Sequence, residues 1–236
     1  MVNIDTVYQK VLAICNKEQR GYITPQEFNL MANKAQLDIY ETYFHKMKTS
    51  YHKPKNQQGV GFDDIEMIQA KLQPFMVDIS NVNIEVESDS TILNTNAFDN
   101  SVYKINTVSI WGTEIVEVSK KELLMINSNP LTSPTWNRPV YVRETNKRFR
   151  VYPLIDGTEY VISYWRKPKD PVWSYVVVNQ KALYNFNNAV HFELHSSEEE
   201  KLVTRILMLA GVLLEKPDLT QAASIDSVRT AKEQNE

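Results

Sequence analysis

His191, Glu193 and His195 occupy alternate positions in the run HFELH. On an extended strand all three side chains would leave from one face, at the spacing of metal ligands. A further protein ligand at similar spacing is absent from the sequence, and the run reads more simply as a polar strand edge leading into a helix cap at Ser197. His45 and His52 fall at a helix end and in a polar stretch, where solvated or dipole-facing imidazole is ordinary. Ser101-Val102-Tyr103-Lys104 matches the two fixed letters of an SxxK dyad, but in a β-branched run rather than at a helix start. Asp63-Asp64 and the acids Glu198 to Glu200 open helices, where the dipole favours carboxylates, and so give no facing acid/base pair. The chain has six glycines, none in a GxGxxG or GxxxxGK[ST] arrangement, so no phosphate-cradling loop can be placed. The expectation is a protein that is not an enzyme, with no cofactor and no metal.

One stretch remains. Arg143, Lys147, Arg148, Arg150, Arg166, Lys167 and Lys169 are interleaved with Phe149, Tyr152, Tyr160, Tyr164 and Trp165. Such a pattern can form a strand platform for single-stranded nucleic acid. It also suits a two-sided sheet with basic outer residues, and that is the preferred reading because the aromatics fit a subunit interface as well. Arg143, Arg148, Arg150, Tyr152, Tyr164, Arg166 and Lys167 are the candidate patch, facing either a DNA channel or an acidic neighbouring subunit.

Bulk composition agrees with a folded, uncharged-on-average chain: 42% of the 236 residues are hydrophobic, 23% charged, and the net charge is −3. No global field pulls it onto nucleic acid or an anionic membrane. The single cysteine, Cys15, excludes a disulfide framework and a four-cysteine zinc site. Without a basic start, a signal-like apolar run or a span-length apolar segment, the chain reads as made in the cytoplasm, with no membrane partner.

The elements that must position these residues read as an α+β chain: an N-terminal helical hairpin, a central antiparallel β-rich region, and a long C-terminal helix with a polar helical tail. Val7, Val11, Leu12 and Ile14 mark a first helix. Thr24-Pro25-Gln26-Glu27 then supplies an N-cap, a first-turn proline and a capping-box glutamate for a second, with Phe28, Met31, Ala35, Ile39 and Tyr43 on one face and Asn29, Asn33 and Glu41 off it. Residues 49–61 read as an exposed loop meeting a neighbouring subunit, and 63–72 as a short helix ended by Pro74. Strands follow over 77–86, 102–110 and 115–118, and Ser119-Lys120-Lys121-Glu122 opens a brief helix. Residues 130–139 read as a rigid extended connection, and 138–144, 148–155 and 159–167 as a meander of hairpins turning at Asn146-Lys147 and Asp156-Gly157. Ser197 caps a helix expected to run to about Glu215 along Leu202, Ile206, Leu209 and Leu213. The divisions are 1–76, helical with the loop; 77–195, β-rich; and 196–236, helix and tail, all in one integrated domain.

Three segments carry a resemblance. NKEQRGYITPQEFNLMANKAQLDIYETYF at 16–44, NPLTSPTWNRPVYV at 129–142 and YWRKPKDPVW at 164–173 resemble virion structural proteins of short-tailed phages, including crAss-like phages. The element order also resembles the head-to-tail adaptor family, whose members form a dodecameric ring beneath the portal. The resemblance implies a structural subunit of the head-to-tail junction, assembled in the bacterial cytoplasm. Its partners would be the portal protein, adjacent ring or tail proteins and further copies of itself, with viral DNA passing through without sequence readout. The tail from 218 is then a docking element for the portal or an adjacent ring, carried by Leu219, Ile225, Val228 and Arg229. Three alternatives stay open: a tail-tube or tail-hub component, a single-strand nucleic-acid binder using the basic-aromatic sheet, and a hydrolase holding metal at HFELH.

Overall fold

The computed structural model describes residues 1–17, 23–52, 60–80, 83–95, 102–145, 147–155 and 159–213. The chain is α+β and divides into two compact units, Met1–Pro74 with Pro168–Glu236, and Phe75–Lys167. Residues 168–195, expected in the β-rich region, therefore belong with the helices. The polar tail and its docking residues Leu219, Ile225, Val228 and Arg229 lie outside the described residues.

The first unit holds helices α1 (Ile4–Lys17), α2 (Pro25–His52) and α3 (Val60–Leu72). α2 starts where its capping box places it: Glu27 accepts the Thr24 N–H at 2.8 Å and donates its own N–H to Thr24 Oγ1 at 3.3 Å, which satisfies two helix-end donors. That bond holds the Glu27 carboxyl below its usual range. The expected loop 49–61 is shorter than read, because α2 continues to His52 and α3 begins at Val60. Its centre, 53–59, lies outside the described residues.

A further helix follows near the C-terminus, Glu199–Leu213, here numbered α5 because the second unit contributes α4. It starts one residue later than a Ser197 cap implies: Ser196–Glu198 form a 3-10 turn whose N-cap is His195, with Ser197 N–H donating to Nδ1 at 3.2 Å. α5 packs on both α1 and α2, and α3 on α2, so the neighbours of the first two helices are not chiefly each other. Leu202, Val203, Ile206, Leu207 and Ala210 of α5, with Phe28, Ala35, Ile39 and Tyr40 of α2 and Val7 and Val11 of α1, are buried. Leu207, not Leu209, completes the buried stripe of α5.

The second unit is an eight-stranded sheet of β1 (Met76–Ile79), β2 (Asn83–Val86), β3 (Thr91–Asn94), β4 (Val102–Ile110), β5 (Thr113–Glu117), β6 (Val140–Arg143), β7 (Arg148–Tyr152) and β8 (Tyr160–Arg166), ordered β1-β8-β4-β5-β6-β7-β3-β2. Its core is Leu93, Val108, Ile110, Ile115, Tyr141, Phe149, Val151, Ile155, Tyr160, Ile162 and Tyr164. The meander expected from 138 to 167 is only half formed. β6 and β7 make the hairpin, but the other edge of β7 is taken by β3, while β8 pairs with β1 and β4. Tyr160, Ile162 and Tyr164 do face the core while Val161, Ser163 and Trp165 face away, the alternation that a period of two requires.

β5 and β6 are parallel, a pairing that needs a crossover. The crossover is α4 (Lys120–Asn127), opened by the Ser119–Glu122 capping box, followed by residues 128–139. Those residues are not the extended connection expected. Asn129 Oδ1 accepts the Leu131 N–H in an Asx turn, the Thr132 and Ser133 N–H groups return to the Asn129 carbonyl at 3.0 Å, and Arg138 donates to the Leu131 carbonyl. Side-chain capture by Asn129 outcompetes the stiffness of the flanking prolines.

One hairpin was not foreseen. β9 (Tyr175–Val178) and β10 (Lys181–Tyr184), in the first unit, turn at Asn179 and Gln180, both with positive φ, which is the geometry that matches strand twist.

Thr24→Ala removes the N-cap acceptor of the longest helix; a loss of about 1 kcal/mol is expected in denaturant titration, with Thr24→Ser nearly neutral.

Candidate functional site

The basic-aromatic patch separates into two groups in the sheet. Arg143 on β6 adjoins Arg148, Arg150 and Tyr152 on β7, whereas Tyr164, Arg166 and the following Lys167 belong to β8, with β4 and β5 intervening before β6. In the first group Arg148 and Arg150 are matched by carboxylates. Arg150 Nε donates to Glu144 Oε1 at 2.7 Å, its Nη1 donates to Glu87, and the same nitrogen reaches Ser90 Oγ at 3.3 Å. Arg148 forms ion pairs with Glu144 at 3.2 Å and Glu87 at 3.8 Å. Two guanidinium groups thus stand against two carboxylates, so the Arg148–Arg150 pair presents little net charge. It binds β7 to the β6–β7 turn and to the end of β2.

In the second group Arg166 lies 5.7 Å over the Phe75 ring and donates to the Lys167 carbonyl, while Lys104 lies 5.9 Å over Trp165. Phe149, Tyr160 and Tyr164 are buried in the core. A stacking platform needs open ring faces, and of the interleaved aromatics only Tyr152 and Trp165 retain partial exposure.

HFELH does not form a strand. Phe192 and Val190 make single bridges to Val2 and Val172, and the polar side chains between them turn to separate tasks. His191 Nδ1 accepts the Ile4 N–H at 3.3 Å at the start of α1. Glu193 Oε2 accepts the Lys169 N–H at 2.9 Å. His195 caps the 3-10 turn. Ser101 of the SxxK pattern lies outside the described residues, as do the side chains of Asp63 and Asp64.

A charge cluster that spacing could not reveal sits beneath α5. Glu198, the last residue of the 3-10 turn, is buried, and its two oxygens meet Lys71 Nζ of α3 at 2.6 Å and Lys201 Nζ at 3.3 Å. Both ammonium groups also lie within 6 Å of the Tyr43 ring on α2, a cation–π distance. Burial alone would push the Glu198 carboxyl up, but the Lys71 hydrogen bond and the nearby Lys201 charge outweigh it and hold the group below the ordinary carboxylate range. Burial, reinforced by the Glu198 charge, pushes the Tyr43 hydroxyl up. The arrangement pins three helices. Among the described residues no group of three His, Cys, Asp or Glu is disposed to hold a metal ion.

Because the folded-state affinity of Glu198 for a proton is depressed, its stabilisation is complete above the usual carboxylate pKa and is lost as pH falls through the lower, folded value. Glu198→Gln should lower stability at neutral pH by roughly 3 kcal/mol, since two lysines lose their counter-charge, and should flatten the acid-side decline in Tm relative to wild type. An unchanged acid limb in the variant would assign that decline to other carboxylates. No protein-family model matches the chain, and no curated protein matches it.

Proposed function

We propose that this chain is a structural subunit of the head-to-tail connector of a tailed-phage virion, forming a homo-oligomeric ring that joins capsid to tail around the DNA channel, with the portal and adjacent ring or tail proteins as partners. The observation that carries the reading is the apolar surface left open on both units. Val176, Val177, Leu183 and Phe186 in one, and Trp111, Leu124, Met125, Leu131 and Trp136 in the other, are exposed large hydrophobics. Large side chains of this kind, exposed in number on both units, are what subunits of an assembly cover on association. The segment-level likeness to virion structural proteins supplies the kind of assembly. The candidate chemistry residues support it indirectly, since His191, Glu193, His195, Arg148 and Arg150 all hold the fold together.

A tail-tube or tail-hub position shares these supports. Single-strand nucleic-acid binding is favoured less, because it needs open rings and unmatched cations where the sheet has buried rings and paired arginines.

Light scattering of the purified chain, alone and mixed with its portal, separates these readings. Self-association of the chain alone, with the portal captured by that assembly and the capture abolished in a chain ending at Glu215, is the expected result. A chain that ignores the portal in both forms loses the portal-proximal role, and steeply salt-dependent binding to single-stranded DNA would move it to the nucleic-acid class.

A further inference from the structure

The β9–β10 hairpin is firm at its root and bare beyond it. At the root, the Trp173 ring packs against Tyr8 at 4.3 Å, Tyr184 at 5.7 Å and Tyr175 at 5.8 Å, and its indole N–H donates to Asp5 at 2.9 Å. Tyr175 and Tyr184 are the opposed pair at the base of the two strands. Beyond them Val176 and Val178 alternate with Val177, so apolar side chains leave both faces. Leu183 stands opposite Val176 and Ala182 opposite Val177. Val177 is 64% exposed, and Phe186, just past β10, is 71% exposed. A lone two-stranded ribbon is marginal in water, and one that is apolar on both sides needs cover on both. Among the described residues neither strand pairs with a third.

The second unit carries an unlike apolar surface. A crossover helix ordinarily covers its sheet, yet α4 is only half-buried along Leu123 and Ile126, and Leu124 on it is 74% exposed. The segment after α4 exposes Leu131 and Trp136, and the Trp136 ring stacks on Trp111 at 5.9 Å and 13°. Trp111 occupies the β4–β5 turn at φ +47, a conformation that bulky side chains avoid and that asparagine or glycine adopts freely.

We infer that the β9–β10 hairpin is an arm that seats on the α4–Trp111–Trp136 surface of a second copy of this chain. Three observations favour a second copy over any other occupant. Each copy bears both surfaces, and two unlike patches on one chain are the requirement for head-to-tail association. The exposures of Val176, Val177, Val178, Leu183 and the adjoining Phe186, taken over both faces, leave on the order of 500 Å² of apolar surface, against the roughly 800 Å² that one partner brings to a standard interface. The hairpin tip carries a single charge, Lys181, and the whole chain only −3, so copies approach without strong repulsion. The inference rests on the ring reading for the identity of the partner and names the surfaces that reading leaves unassigned.

Sedimentation velocity over a wide concentration range, on the chain alone, tests it with Val177→Asp in the hairpin and Leu124→Asp on α4. Both positions are exposed, and circular dichroism melts matching wild type establish that the variants fold. Wild type should self-associate, and each variant alone should be weakened about tenfold or more. An equimolar mixture of the two should recover one intact interface, giving dimers and nothing larger. A monomeric wild type overturns the inference, as does Val177→Asp associating like wild type. Loss in Val177→Asp without loss in Leu124→Asp would overturn it too, since that pattern belongs to hairpin-on-hairpin pairing. Binding of the monomer to phosphatidylcholine vesicles through Val177 would make the occupant a lipid surface instead. Self-association with these properties but no response to portal leaves the hairpin assignment standing and removes the connector reading.

Discussion

Outside the β9–β10 hairpin, the backbone from Pro168 to Leu194 pairs only at single bridges, and its buried amides must still find partners. α2 supplies them. Asn29 exchanges two hydrogen bonds with Trp173, accepting its N–H at 2.8 Å and donating to its carbonyl at 3.3 Å, as a neighbouring strand would. Gln36, two turns along the same face, donates to the Lys169 carbonyl at 2.8 Å and accepts the Glu193 N–H at 3.1 Å. Glu193 closes the circuit by accepting from Lys169 N–H. With Trp173 fixed in this way its ring becomes the post on which Tyr8, Tyr175 and Tyr184 pack, and the hairpin beyond it acquires a defined direction. Remove the amide clamp and the exposed arm is an unanchored loop.

The same economy governs charge. Glu198 is surrounded by Lys71 and Lys201, Lys10 meets Glu199, Arg205 meets Asp38, and Arg148 and Arg150 share Glu87 and Glu144. Charges matched within the fold produce weak fields outside it, and their removal one at a time leaves a partner uncompensated. The surfaces best able to drive association are then the apolar ones, whose attraction does not depend on long-range steering and is nearly insensitive to screening by salt.

What the sequence made legible follows the range of each interaction. Local signals held: the capping boxes at Thr24–Glu27 and Ser119–Glu122, the face of α2 and the alternation of β8 are all set within a few residues. Pairing at a distance did not. β3 leaves no mark in the sequence because TILN is four residues long and has no alternation to display, though it supplies β7 with its second neighbour. Asn29 was placed off the apolar face of α2, which is correct as a pattern and blind to its use as a backbone clamp. Glu198 looked like one of three dipole-favoured acids, and only the folded arrangement of α3 and α5 distinguishes it as the buried one. The basic-aromatic interleaving was visible, but its meaning depended on Glu87, some sixty residues earlier in the chain. For the hairpin a signal existed in SYVVVNQKALYN, two short apolar runs around Asn-Gln; without the usual glycine the turn went unread.

Magnitudes bear on why a tryptophan occupies the β4–β5 turn at all. The left-handed conformation costs a bulky residue about 1–2 kcal/mol relative to its preferred regions. Stacking on Trp136 returns about 0.5–1.5 kcal/mol. In the isolated chain the two effects nearly cancel, so asparagine at position 111 would serve the turn equally well. The balance changes when the exposed halves of the two indoles are covered. That step removes on the order of 200 Å² of apolar surface from water, about 5 kcal/mol before the entropy of association is subtracted. The strained residue is therefore well suited to a state in which the indoles are covered, and α4 obeys the same logic: its inner side chains Leu123 and Ile126 are only half-buried, and Leu124 and Met125 stay exposed until something is placed upon them.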